Sequence, residues 1–230
     1  MDGITLAHLN RELLKCVKCQ RLVVFREEIS QKYSSVSGEK FWAKPVPGYG
    51  DIGGRLMVLG LAPAARGGNR TGRVFTGDKS AQFLVSCLHK AGFANQPTST
   101  AVNDGLLYLD TYVTAAVKCV PPENKPDRDE MINCLYYLNA ELKLMKNLKV
   151  ILVLGKVAFD SLKMAMSGMG LDVRSLRFQH GSAAEVGRWK IFCSFHPSPR
   201  NVNTGKLNEE QFMEILTRIR SELHRDALQL

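Results

Sequence analysis

Short apolar runs alternate with helical patterns from residue 55 onward. Four of these runs predict buried strands, at residues 56–60, 112–117, 150–154 and 190–195. Apolar residues at helical spacing predict helices at residues 79–91, 127–147, 156–166 and 208–224. This alternation favours a three-layer α/β/α fold in which a central four-stranded parallel sheet is covered by helices on both faces.

The first 54 residues fit this repeat poorly. Residues 4–15 predict a short helix, and residues 34–54 form an irregular stretch rich in Gly, Pro and aromatic residues. We therefore expect a single domain over residues 1–230, with residues 1–54 as an irregular N-terminal segment.

A parallel sheet also predicts where chemistry occurs, because ligands bind beyond the carboxyl ends of its strands. The loops leaving those ends are residues 60–77, 118–126, 155–156 and 196–206. Three of the four are dense in Gly, Pro, Asn and Arg. Neither the G-x-G-x-x-G string at 48–53, which precedes the first strand, nor the two Gly-Lys pairs meet the context of a nucleotide-binding motif.

The net charge of the chain indicates a class of binding partner. The chain carries 31 Lys and Arg against 22 Asp and Glu, a net charge of +9. This surplus favours a polyanion such as nucleic acid or an acidic membrane, although a chain can also be basic for solubility alone. No apolar run reaches the ~18 residues of a membrane span, and no signal peptide is visible, so we expect a cytoplasmic protein.

Six cysteines in such a protein point to metal ligation rather than disulfides. Cys16 and Cys19 form a C-x-x-C pair, and Cys119 and Cys134 lie in polar contexts. The other two, Cys87 and Cys193, lie in apolar runs, where cysteine is usually a small core residue. Four cysteines suit either Zn²⁺ or a [4Fe–4S] cluster, and their chemistry alone does not separate the two.

The loop after the first strand carries the most candidate chemistry. Its small residues allow a ligand to approach the backbone, and Arg66, Arg70 and Arg73 suit phosphate. Phe75 offers a flat apolar face, unless it only fills the core. Asp78 lies at the start of the next helix, where a carboxylate is also an ordinary helix cap.

The loop after the fourth strand begins with a histidine. A strand-terminal His196 that faces the crevice can donate a hydrogen bond to a developing anion. A histidine satisfied by local hydrogen bonds is the alternative.

Together these loops resemble the uracil-DNA glycosylase superfamily, and most closely its family 5, the type-b enzymes. The resemblance rests on the strings GLAPAARGGNRTGRVFTGD, VKCVPPENKP and HPSPRNVNTG, which occur in the family's order and at successive strand ends. It implies a DNA-repair hydrolase that releases uracil from DNA and leaves an abasic site. No lysine in the three motif loops stands out as a Schiff-base nucleophile, with Lys79 and Lys118 the nearest exceptions, so we expect no lyase activity. The DNA base would be flipped out of the duplex to reach the site.

The resemblance also implies roles for single residues. Asp78 and His196 would be catalytic, Asp78 by acting on the attacking water or the cationic sugar and His196 on the departing base. The base would be bound by Gly60, Ala62, Ala64, Phe75 and Asn124. The DNA would be contacted by Arg66, Arg70, Arg73, Arg200, Asn201 and Lys206. A [4Fe–4S] cluster with a structural role would be held by Cys16, Cys19, Cys119 and Cys134.

The first motif lacks a polar side chain at several early positions where many superfamily members have one. Leu61, Ala62, Ala64 and Ala65 stand there, which is the type-b pattern. This leaves Asp78 as the best candidate to activate water. A less polar pocket discriminates weakly between bases, so we expect hydroxymethyluracil, ethenocytosine and hypoxanthine as further substrates.

We expect the protein to act as a monomer on damaged DNA in the cytoplasm, at the nucleoid, without a membrane partner. A non-catalytic iron–sulfur protein that binds DNA is the alternative, and it leaves Asp78, Asn124 and His196 without a role. A hydrolase of free nucleosides on the same architecture is a third candidate. It predicts weak salt dependence, whereas DNA binding falls steeply with salt.

Overall fold

The computed structural model describes residues 4–225. The helices in chain order are α1 (Leu6–Leu14), α2 (Gln20–Ser37), α3 (Gly68–Thr71), α4 (Lys79–Lys90), α5 (Arg128–Leu144), α6 (Lys156–Gly168), α7 (Pro199–Asn203) and α8 (Glu209–Arg225). The strands are β1 (Tyr49–Gly50), β2 (Leu56–Gly60), β3 (Thr111–Ala115), β4 (Val150–Leu154), β5 (Ala183–Val186) and β6 (Trp189–Ser194). A short 3₁₀ turn spans Pro122–Asn124.

The strands form one sheet in the order β1-β3-β2-β4-β6-β5. The central pairs β3–β2, β2–β4 and β4–β6 are parallel, which confirms the predicted α/β fold with a parallel sheet. The four predicted parallel strands are all present, and the whole sheet has six strands because β1 and β5 add antiparallel edges. Both are hard to detect in sequence, because β1 has two residues and only one of the four residues of β5 is buried.

Every residue of β2, β3 and β4 is buried, because helices cover both faces of the sheet. One apolar cluster joins that sheet to α4 and α8, with Leu84, Leu88, Phe212 and Leu216 among its members. The other joins the opposite face to α5 and α6, with Leu138, Leu142, Phe159 and Leu162. The two clusters leave the carboxyl ends of the parallel strands free to carry a site.

One long helix was not predicted. Helix α2 begins after Cys19 and ends at Gly38, so residues 34–37, predicted to be irregular, form its last turn. Its buried face consists of Leu22, Arg26 and Ser30, spaced four residues apart. Because two of these three are polar, the face has no apolar periodicity for sequence analysis to detect.

The remaining predicted elements match the structure with boundary differences of at most three residues. No helix among residues 4–225 is both long and apolar enough to cross a membrane.

Candidate active site

A cleft of about 770 Å³ opens at the carboxyl ends of the parallel strands. All four strand ends contribute to it: the loop after β2, Asn124 after β3, Val157 after β4 and the segment after β6. Its wall consists of Leu61, Ala62, Pro63, Ala64, Val74, Phe75, Asp78, Lys79, Ser80, Ala115, Asn124, Val157, His196, Ser198, Pro199, Arg200 and Asn201. We call this site the cleft.

Phe75 forms one wall of the cleft in an unusual backbone conformation. Its φ is +44°, in the left-handed region that bulky residues rarely adopt. The ring lies against the backbone of Gly60, where an added Cβ would come within 2.7 Å of the Phe75 Cζ. Gly60 therefore does not line the cleft itself; it supplies the space behind the aromatic ring.

His196 lies against the same ring. Its imidazole stacks on Phe75 with the ring centres 6.1 Å apart and the planes at 29°. Burial lowers the pKa of His196 to about 4, so the ring is neutral at pH 7. Its backbone carbonyl accepts hydrogen bonds from the Asn201 side-chain amide at 2.8 Å and from the Ser198 N–H at 2.8 Å, which hold this turn in place.

Asp78 is the N-cap of α4 and also lines the cleft. Its Oδ1 accepts a hydrogen bond from the Ala81 N–H at 2.8 Å. Burial raises the pKa of Asp78, while the Ala81 and Ser80 amides and the charge of Arg70 act in the opposite direction. Its other oxygen packs so closely on Gly67 that an added Cβ there would lie 1.9 Å away.

The remaining predicted base-binding residues also reach the cleft. Ala62 and Ala64 line it next to Leu61, and none of the three carries a polar side chain. Asn124 stands exposed at its edge, with a positive φ of 59° at the end of the 3₁₀ turn. The cleft thus combines apolar and aromatic walls with a few polar groups, as small-molecule and base pockets do.

The predicted DNA contacts fall into two groups. Arg200 and Asn201 line the cleft, and Lys206 lies beside it with its Nζ 4.4 Å from the centre of the Phe195 ring. The exposed Arg66 extends over the ring of Tyr33 on α2 at 4.4 Å.

The other two arginines are held by the protein. Arg70 pairs with Glu39 at 2.7 Å and bonds the Arg66 carbonyl oxygen, and Arg73 is only 3% exposed and pairs with Asp104 at 2.7 Å. The predicted DNA contact of Arg73 is not compatible with this burial. In sequence, Arg66 and Arg73 are equivalent candidates for a phosphate contact. The structure distinguishes them, because Arg66 is exposed and Arg73 is buried in an ion pair with Asp104.

The four candidate ligand cysteines line one small pocket between α2, α5 and the segment after β3. All four are free thiols. Burial raises the pKa of Cys119 to about 11 and that of Cys134 to about 12. Within residues 4–225, no three His, Cys, Asp or Glu side chains are arranged as ligands of one metal ion.

Each of these sulfurs has a hydrogen-bond donor beside it. Arg26 Nη1 lies 3.2 Å from the Cys119 sulfur, and Asn133 Nδ2 lies 3.5 Å from that of Cys19. The Tyr137 hydroxyl bonds Cys16, and the Lys118 N–H bonds Cys134. Sequence analysis missed these donors, because each lies on a different segment from the cysteine that it contacts and no local pattern pairs the two.

Sequence comparison identifies related proteins. The sequence model of the Uracil DNA glycosylase superfamily matches residues 47–220. A type-5 uracil-DNA glycosylase of Pyrobaculum aerophilum is 41% identical over 90% of this chain and 88% of its own. One from Thermus thermophilus is 42% identical, over 89% and 92% respectively. One from Mycobacterium tuberculosis is 38% identical, over 92% and 79%.

Proposed function

The chain belongs to the uracil DNA glycosylase superfamily, and from this we propose that it hydrolyses the N-glycosidic bond of uracil in DNA. The observation that carries the proposal is a neutral His196 stacked on Phe75, in one cleft with Asp78 and Asn124. The names of the relatives support the same activity. A non-catalytic DNA-binding protein would need none of these four side chains in one place.

Base recognition follows from the shape of the cleft. A base in duplex DNA must leave the stack to enter it, which costs a few kcal/mol. Phe75 offers the flipped base a flat apolar face, and we expect backbone amides near Ala62 and Ala64, which line the cleft, to hydrogen-bond it. Asn124, at the rim, is placed to hydrogen-bond the polar edge of the base.

Bond cleavage puts negative charge on the leaving base, which takes the electron pair of the bond between its nitrogen and C1′. The buried His196 is neutral, so it carries one ring N–H, which donates a hydrogen bond to that charge. One well-aimed donor of this kind contributes about 2.7–4 kcal/mol to transition-state stability.

The sugar, which becomes cationic at C1′, then takes the oxygen of water. Asp78 orients or activates that water, or stabilises the cation by its charge. One proton of the water ends on solvent or on Asp78, the base becomes protonated, and an abasic site remains. We expect no lyase step, in which a lysine amine would attack C1′ in place of water. Lys79 lines the cleft, so this expectation means that Lys79 does not act as that nucleophile.

We further infer that Cys16, Cys19, Cys119 and Cys134 hold a [4Fe–4S] cluster. The support is that four free thiols share one pocket and that each has a hydrogen-bond donor beside it. In a four-iron cluster each iron takes one thiolate, so the sulfurs need not converge on a single point as they do around zinc. When bound, the cluster would crosslink the start of α2 to α5 and to the segment after β3.

The apolar wall at Leu61, Ala62 and Ala64 supports a broad substrate range that includes hydroxymethyluracil, ethenocytosine and hypoxanthine. Action as a monomer stays a prediction. Location in the cytoplasm at the nucleoid would follow from the DNA substrate and stays a prediction.

The proposed function is tested by base release from a labelled duplex with a single uracil, read as strand cleavage after alkali. We expect release by the intact protein and a fall of about 10²–10³ in rate for His196→Leu. His89→Gln, which changes a histidine bonded to the Ala94 carbonyl oxygen outside the cleft wall, is the control with unchanged rate. Cleavage without alkali would contradict the monofunctional reaction. DNA binding without release from any of the four bases would favour the non-catalytic alternative.

A further inference from the structure

The left-handed backbone at Phe75 requires support on both sides. A bulky residue at φ +44° is strained, and such strain persists only where the surroundings determine it. The residues beside it are deeply buried: Val74 is 2% exposed and Thr76 fully buried. One step further, the Gly77 N–H donates to the Ser99 carbonyl oxygen at 2.8 Å.

Arg73 connects these anchors. Its Nε donates to the Thr76 hydroxyl at 2.8 Å, across the backbone of Phe75. Its Nη2 donates to the Ser99 hydroxyl at 3.1 Å, and the two hydroxyls bond each other at 2.9 Å. The Thr76 hydroxyl also donates to the Val74 carbonyl oxygen at 3.1 Å, so the residues on both sides of Phe75 belong to one network.

Asp104 anchors the network to the next loop. Its carboxylate accepts two hydrogen bonds from Arg73 Nη2, at 2.7 and 2.9 Å. It also accepts from the N–H groups of Thr100, Ala101 and Leu106 at 2.7–3.2 Å. Although burial opposes ionisation, these donors lower the pKa of Asp104 to about 2, so the pair stays charged across the working pH range.

We propose that Arg73 and Asp104 are positioning residues that hold the aromatic face of Phe75 toward the base and against His196. Neither lines the cleft, so both act through Phe75. The importance of Phe75 for base binding rests on the proposed function, whereas its placement by this network does not.

The first test is a double-mutant cycle on the single-turnover rate of uracil release. Arg73→Lys keeps the charge but removes the forked contact with Thr76, Ser99 and Asp104. We expect it to lower the rate roughly tenfold to a hundredfold, as a misplaced group does. In a Phe75→Ala background the same change should have little further effect, because the group through which it acts is already gone. Equal effects in both backgrounds would overturn the proposal.

A matched control separates positioning from loss of stability. Arg55 and Asp110 form a second forked pair, at the opposite end of the sheet, with Nε and Nη2 contacts of 2.7 and 2.6 Å. Because the Arg55–Asp110 pair is about one third exposed, Arg55→Lys should cost less stability than Arg73→Lys, and it should leave the rate unchanged. If Arg73→Lys fails to fold, Thr76→Val replaces it, because that change removes only the hydroxyl at the centre of the network.

The second test needs no activity. The stacked Phe75 ring shifts the NMR signals of the His196 ring protons, and Phe75→Leu marks their position without that ring. In folded Arg73→Lys or Thr76→Val we expect these signals to move toward the Phe75→Leu position, and in Arg55→Lys to stay. Unmoved His196 signals overturn the proposal. Absence of base release by the intact protein would instead refute the proposed function.

Discussion

Asp78 has two roles that one substitution can separate. It caps α4 by accepting from the Ala81 N–H, and its carboxylate lines the cleft. Asp78→Asn retains an oxygen that caps a helix but removes the negative charge, whereas Asp78→Ala removes both. The two variants therefore differ in whether α4 keeps its cap, and both lack the negative charge in the cleft.

The structure sets the size of each effect. Loss of the cap in Asp78→Ala costs about 1 kcal/mol, a fall in melting temperature of about 2–4 °C for a chain of this size. Asp78→Asn should not lose stability at pH 7. Burial raises the folded pKa of this carboxyl above its unfolded value, so its ionised form weakens the fold above that unfolded pKa.

The rate of base release should depend on the negative charge of Asp78 and not on its role as the cap of α4. If the carboxylate acts on water or on the sugar cation, both variants should lower the single-turnover rate by about 10²–10⁴. The assay is uracil release at a temperature where both variants are folded, with unfolding by urea measured in parallel. A fully active Asp78→Asn would refute the reasoning and leave Asp78 as a helix cap alone.

Three further predictions concern the rest of the site. Between pH 6.5 and about 4, His196 is protonated in the unfolded chain but not in the folded protein. The free energy of unfolding should therefore fall on acidification by on the order of 3 kcal/mol. Urea unfolding of His196→Asn should show a pH dependence that lacks this fall. Gly60→Ala should displace the Phe75 ring and raise KM for the uracil duplex, because its Cβ would meet that ring at 2.7 Å; an unchanged KM would contradict the contact. Protein purified without oxygen should contain about four irons per chain. Cys134→Ala should lose this iron and Cys193→Ala, in the core of β6, should keep it; equal iron in both would count against the ligand set.

The fold was predicted accurately where the hydrophobic pattern of a segment reflects how that segment is buried. The runs at 56–60 and 150–154 became β2 and β4 without a change of boundary, since strands buried on both faces are apolar throughout. Helix α2 was not predicted because its buried face carries Arg26 and Ser30, whose side chains have partners on distant segments. Ser30 accepts from Asn69, which is 39 residues away.

For the candidate site, the sequence predicted where the residues lie but not the environment of each. Phe75, Asp78, Asn124 and His196 could be placed in one cleft because each follows a predicted strand, and the carboxyl ends of parallel strands meet at one edge. Their states could not be predicted. The neutrality of His196 comes from burial, and the Phe75 ring occupies space that the absent side chain of Gly60 leaves open.

The arginines show most directly what local pattern leaves open. Arg66, Arg70 and Arg73 stand in one glycine-rich loop and carry the same charge. Tertiary structure places the first on the surface, pairs the second with Glu39 and buries the third against Asp104. Hydrophobic period depends on neighbours along the chain, so sequence determines strands, helices and the edge of the sheet where a site lies. The environment of a charge depends on groups tens of residues away, and only the folded chain brings those together.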